Sequence, residues 1–374
     1  MESTITKIEI IPVKIALNEP FVISKGPLTH ATITIVKIYT PSGIYGIGEC
    51  CPFRTIHGET QEGTLSAGAT IARVLIGKDA RQIRQINRMM DRVFAGNASI
   101  KAAIDIALHD LSAKLVNLPL YALLNGNPIK PIHTDMTVSL LEKEKMAAKA
   151  KQYVDNRFPV LKIKLGDRPA EKDIERMRGI RAAIGMEIPL CIDANQGWNY
   201  NEARFALTNM SDLNIMHCEA PMNSNNLIQI RQLRQESPIP LMADESVFSA
   251  SDAFQVLATE CFDLVNIKLG KSGGITNAMK IAAIAEANDV YCQVGCFSES
   301  RLGISALAHF VTAWDHIIHF DMDAPLMHQE DPIIGGISYD ENWKIILNSK
   351  PGIGADYDPD FLNRFRDNAI TISN

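Results

Sequence analysis

Apolar and polar positions alternate through residues 159–166, PVLKIKLG. Leu161, Ile163 and Leu165 fall on one side of an extended chain, with Lys162 and Lys164 on the other. Two ammonium groups about 7 Å apart on one strand face are costly to bury unless each meets water or a counter-charge. A single Lys-x-Lys of this kind ordinarily marks a surface strand with a charged face. Here the same design, an apolar strand with a charged tip, returns along the chain.

Residues 6–16, 31–39 and 44–49 read as strands by alternation and β-branched content, forming an antiparallel meander. Turn-forming Asn18, Pro20, Ser24, Gly26 and Pro27 predict a loop over residues 17–30, and a second loop is expected over 50–60. Helices are predicted over 64–76, 80–94 and 100–115, the last with a one-sided apolar face. His109 and Asp110 within it read as satisfied structural residues.

After Pro128 the texture becomes regular. Strand-like runs near 132–138, 159–165, 189–194, 214–219, 239–244, 263–269, 290–296 and 317–322 are separated by seven helical stretches. One residue at each strand end (Lys164, Asp193, Glu219, Asp244, Lys268, Gly295 and Asp321) follows its predecessor by 24 to 29 positions, the length of a compact βα unit. The pattern predicts an α/β protein: a (β/α)7β TIM-like barrel over residues 129–340. An α+β capping domain, residues 1–128, would be completed by a tail from about 341 to 374. GKSGG at 270–274 is too short for a phosphate loop, which weakens the doubly wound alternative.

Bulk properties narrow the function. A formal net charge of −6 supplies no basic stripe for nucleic acid and argues against a membrane surface. The first residues, MESTITKIEI, lack a signal-peptide pattern, and no run of 18 apolar residues occurs. Seven scattered cysteines without CxxC spacing read as reduced core thiols, so the expected setting is cytoplasmic and zinc is not expected.

In a parallel barrel the strand ends share one mouth. Asp193, Glu219 and Asp244 end three consecutive strands and can converge. Each alone is more often a helix N-cap, but three hard carboxylates in register suit Mg²⁺. Lys164 and Lys268 lie four strands apart, on opposite sides of that position. A base on each face of a carbon next to a carboxylate permits a 1,1-proton transfer through an enediolate, which inverts the stereocentre.

These residues carry a resemblance. KIK at 162–164, DANQGW at 193–198, Glu219, ADES at 243–246, NIKLGKSGG at 266–274 and DMD at 321–323 resemble the enolase superfamily in its muconate-lactonizing-enzyme branch, and most closely its dipeptide epimerases. GGI at 335–337 and PGIG at 351–354 are similar to the family's tail. A Lys base with Mg²⁺ is a known pattern of such sites. The resemblance implies Lys164 and Lys268 as acid/base pair, Lys162 polarising the substrate carboxylate, and Mg²⁺ held by Asp193, Glu219 and Asp244. Asp321 and Asp323 match the pair that receives a dipeptide's α-ammonium, a charge-assisted contact that suits two carboxylates.

The resemblance also implies that loops 17–30 and 50–60 act as lids. Thr137 and Ser298 are further lining candidates. Ala220-Pro221 stands where the family often has Gln-Pro. Members acting on Ala-Glu often carry an arginine in the first lid; here that loop offers Lys25, and Arg54 in the second is the other cation available for a γ-carboxylate. The expected substrate is L-Ala-D/L-Glu, in peptidoglycan-peptide recycling. A cycloisomerase or o-succinylbenzoate synthase is the nearest rival, disfavoured because those substrates carry no ammonium for Asp321 and Asp323. An inactive ligand-binding paralogue is the reading from another class. Homo-oligomers are common among similar proteins, and self-association is expected.

Overall fold

The computed structural model describes residues 2–373. Strand β1 (Lys7–Ile23), β2 (Gly26–Tyr39) and β3 (Tyr45–Cys50) form an antiparallel meander. The chain returns at its end to add Ile370–Ser373 antiparallel to β1, as expected of the tail. The buried sides of these strands are rich in Ile and Val, whose branched side chains pack well on a pleated surface.

The expected loop over 17–30 is instead the outer end of a long hairpin. After an irregularity between Ala16 and Phe21, Phe21 pairs with Leu28, Val22 with Pro27 and Ile23 with Gly26. The turn residues Asn18 and Pro20 produce the irregularity and do not end the strand. Only Ser24 and Lys25 make the turn. The 50–60 segment also holds a short helix, α1 (Arg54–His57).

Helices α2 (Gln61–Leu75), α3 (Ile83–Val93) and α4 (Ala98–Leu115) cover the meander. Gly46 and Gly48 let β3 lie almost on α4: a Cβ on Gly48 would fall 2.2 Å from the Ala103 carbonyl oxygen. Asp110 accepts hydrogen bonds from the Ile47 and Ile353 amides, so the polar pair in α4 is structural, as expected.

Eight short parallel strands follow in chain order: β4 (Met136–Val138), β5 (Leu161–Lys164), β6 (Leu190–Asp193), β7 (Ile215–Glu219), β8 (Leu241–Ala243), β9 (Leu264–Ile267), β10 (Cys292–Val294) and β11 (Ile317–Phe320). The sheet curls so that its ends meet, with the Asp135 amide donating to the Phe320 carbonyl at 3.0 Å and the Thr137 amide to Asp323 at 2.7 Å. The TIM-like architecture expected from the repeat is therefore present.

The hairpin is fastened across the barrel mouth. The Leu140 amide donates to the Val22 carbonyl at 2.9 Å, and Ser24 Oγ to the Asn195 carbonyl at 3.0 Å. Glu49, at the end of β3, accepts from the Ser300 and Gly303 amides, capping the helix Arg301–Val311. All seven cysteines are free and buried. Among the described residues no helix is long and apolar enough to cross a membrane.

Candidate active site

Alternation along β5 turns Lys162 and Lys164 into the barrel while Leu161 and Ile163 pack outward under the helices. Lys162 is 1% exposed and has abundant counter-charge: its Nζ lies 2.7 Å from Glu219 Oε2, 2.7 Å from Asp321 Oδ2 and 3.5 Å from Asp193 Oδ2. Burial alone would lower its pKa, but those three carboxylates hold it well above the usual lysine value.

Lys164 Nζ donates to Asp193 Oδ2 at 2.7 Å, and Lys268 Nζ, from just beyond β9, to Asp244 Oδ2 at 2.8 Å. Burial opposes the charge on Lys268, yet Asp244 and then Glu219 raise its pKa above the ordinary range. Glu219 also accepts from Asn266 Nδ2 at 2.7 Å and Gln293 Nε2 at 3.2 Å. Beneath the loop after β8, the wholly buried Lys271 donates to the backbone carbonyls of Asp244, Val247 and Asn266, and its Nζ lies 2.9 Å from Asp244 Oδ1, so the Asp244 carboxylate stands between two ammonium groups.

The mouth holds a surplus of acid. Asp135, Asp193, Glu219, Asp244, Glu245, Asp321 and Asp323 are all buried, against four buried ammonium groups at Lys162, Lys164, Lys268 and Lys271. Both oxygens of Glu245 lack a hydrogen-bond partner, and burial followed by the Asp244 and Asp193 charges pushes its carboxyl up to about 8. Such a surplus, in hard oxygen donors on neighbouring strands, fits a divalent cation. Among the described residues, the acidic or thiol ligand atoms lying within 4.8 Å of one another are those of Cys296, Asp321 and Asp323, while Asp193 turns toward Lys164 and Asp244 toward Lys268 and Lys271. A thiol beside two acids is a poor match for a hard cation.

Asp321 and Asp323 follow β11 and line the same pocket as Thr137, whose amide donates to Asp323. Burial first, then the Asp321 charge, pushes the Asp323 carboxyl up to about 7. An arriving cation would relieve that repulsion.

One cavity brings together Lys164, Lys268, Asp321, Asp323, Thr137 and Asn195 beneath apolar side chains. Its cover is Phe21 and Ile23 from the hairpin, Phe53 and Ile56 from the second lid, and Phe297 and Met327 from the barrel loops. Lys25 and Arg54 are exposed and outside this lining. Ser298 is buried beside Phe297, which is the residue that lines the cavity there.

An inner layer of polar groups went unnamed in the sequence, where only the second barrel strand was followed two residues back from its tip, from Lys164 to Lys162. Asp135, His217, Asn266, Gln293 and His319 sit two positions before Thr137, Glu219, Lys268, Gly295 and Asp321, so strand alternation sends both members of each pair inward. The His217 and His319 rings meet at 4.8 Å between centroids. Stepping back two residues from each tip would have found this layer. The apolar lids carried no such signal.

The barrel region, residues 145–361, matches the family model described as enolase C-terminal domain-like. Residues 5–125 match the mandelate racemase / muconate lactonizing enzyme N-terminal domain. The chain belongs to the enolase superfamily. It is 45% identical to the D-Ala-D/L-Ala epimerase of Cytophaga hutchinsonii, over 96% of this chain and 97% of that protein. It is 40% identical to the L-Ala-D/L-Glu epimerase of Bacillus subtilis, over 94% of this chain and 96% of that one. A crystal structure of a dipeptide epimerase from Cytophaga hutchinsonii, complexed with Mg and the dipeptide D-Ala-L-Val, superposes with a TM-score of 0.97 at 44% identity, covering 99% of this chain and 100% of the other. Within the superfamily this chain is an isomerase.

Proposed function

We propose that this isomerase is a Mg²⁺-dependent dipeptide epimerase that inverts the α-carbon of the second residue by two-base proton transfer. The observation that carries the reading is the single cavity lined by Lys164, Lys268, Asp321 and Asp323, with the two lysines arriving from strands four apart.

Asp321 and Asp323 bind the α-ammonium of the dipeptide, which fixes how far its second residue reaches toward the lysines. Lys162 faces the substrate carboxylate. Asp193, Glu219 and Asp244 would hold Mg²⁺, which would offset the negative charge that gathers on that carboxylate as the α-proton leaves. One lysine, neutral at that moment, would take the proton at its Nζ, and the other, as an ammonium, would give a proton to the opposite face; for Lys268 to be the acceptor, Asp244 and Glu219 must turn their charge from it to the cation. The apolar lids exclude water from the exchange, as befits a carbon acid in a low-dielectric site.

The same lids speak to the side chains. Phe21, Ile23, Phe53, Ile56 and Met327 present no cation to a γ-carboxylate, and Lys25 and Arg54 are exposed and not among the residues that line the cavity. We therefore favour dipeptides with small apolar side chains over Ala-Glu, in keeping with the D-Ala-D/L-Ala and D-Ala-L-Val named for similar proteins. Incubation with Mg²⁺ and either Ala-Ala or Ala-Glu in ²H₂O, followed by NMR, tests both statements. Deuterium should enter the second α-carbon, faster with Ala-Ala. No exchange with any dipeptide overturns the activity, and faster exchange with Ala-Glu overturns the preference.

A further inference from the structure

Each of the two opposed lysines has an aromatic ring set against its ammonium group. Lys164 Nζ lies 5.8 Å from the centroid of Phe21, and Lys268 Nζ lies 4.9 Å from that of Phe297. Both separations fall within the range in which a ring face attracts a cation.

The N-terminal lobe holds both rings in place. Phe21 rides on the hairpin arm secured by the Val22 carbonyl and by Ser24. Phe297 is packed by Phe53 at 5.8 Å and edge-on by His57 at 5.1 Å, both from the α1 segment. That segment is anchored in turn by Glu59, whose carboxylate accepts from the Ala98 and Ser99 amides at the start of α4.

A lysine side chain has four rotatable bonds, and one hydrogen bond to a carboxylate leaves its direction loosely defined. A ring on a second side narrows the choice. We propose that Phe21 and Phe297 are positioning residues, one for each lysine, through which the N-terminal lobe aims the two ammonium groups at opposite faces of the substrate carbon. The inference rests on the two-base reading above. It adds that the lobe acts on the two half-reactions separately, through one ring each.

The test measures α-proton exchange in ²H₂O at saturating substrate, starting separately from the L and the D form of the second residue. As controls, Lys164→Ala and Lys268→Ala should each remove exchange from one epimer, and from opposite ones. Phe21→Leu should slow exchange from the epimer lost in Lys164→Ala by about tenfold and leave the other within about twofold, with Phe297→Leu showing the converse. Phe→Tyr at either position keeps the ring face and should keep the rate. Should leucine unfold the protein, Phe→Met, unbranched and without a ring, supports the same comparison.

Controls that fail to separate the epimers overturn the two-base reading itself. Controls that separate them, with ring variants slowing both epimers alike or neither, overturn this inference alone.

Discussion

Lys162 Nζ stands 2.7 Å from Glu219 and 2.7 Å from Asp321, joining the centre of the acidic cluster to the aspartate pair that follows β11. All three groups are buried, so none can turn to water for its charge. Lys162→Met should leave two buried carboxylates without their ammonium partner, destabilising the protein by about 3–5 kcal/mol. It should also lower kcat by about 100-fold or more. A melting curve and a rate on the same sample check both, and an unchanged melting temperature would count against the bridge.

Asp321 touches Lys162 and not the three acids assigned to the cation. Asp321→Asn should therefore raise the KM for a dipeptide by about tenfold or more, the scale of one charged hydrogen bond. Mg²⁺ affinity, read by titration calorimetry, should change far less. Equal loss of both would remove the ammonium role.

The Gly48→Ala variant tests how the lobe is built. Its methyl group would sit 2.2 Å from the backbone oxygen of Ala103, where only movement of α4 could make room. The expected loss is about 1–3 kcal/mol, seen as a lower urea midpoint. A midpoint unchanged from wild type would show that β3 and α4 are not in fixed contact.

Asp105 and His109 supply a pH test away from the catalytic centre. His109 Nδ1 lies 3.3 Å from Asp105 Oδ2, and Asp105 also accepts from the amide and hydroxyl of Thr276, tying α4 to the barrel. Burial acts against both charges, but the Asp105 charge raises His109 and the His109 charge, with the Thr276 bonds, lowers Asp105. The lowered acid contributes stability above about pH 4, lost as pH falls through its folded value. The raised histidine contributes below about pH 6.5, lost as pH rises through its folded value. The pair should help most between about pH 4 and 6.5. The stability gap between wild type and His109→Gln should narrow from pH 6 to pH 9 in urea titrations. A gap that stays constant would rule out a charged pair.

The sequence alone determined the repeat, the barrel and which charged residues stand at the strand tips. A charged residue at the end of an apolar strand is conspicuous in one dimension, and period-two alternation decides which way it points. Thus Lys162, Lys164, Asp193, Glu219, Lys268 and Asp321 could all be named before any contact was known. Tertiary structure decided the partners: Lys162 bridges Glu219 and Asp321, while Lys164 and Lys268 each take a different acid. Those choices depend on the curl of the sheet, which brings strands distant in sequence within a hydrogen bond of one another. It also decided the cover. Turn residues within 17–30 suggested a loop, yet pairing with the opposite arm kept the strand extended and carried Phe21 to Lys164. An apolar side chain in a lid has no period to betray it, because its role comes from what lies across the cavity.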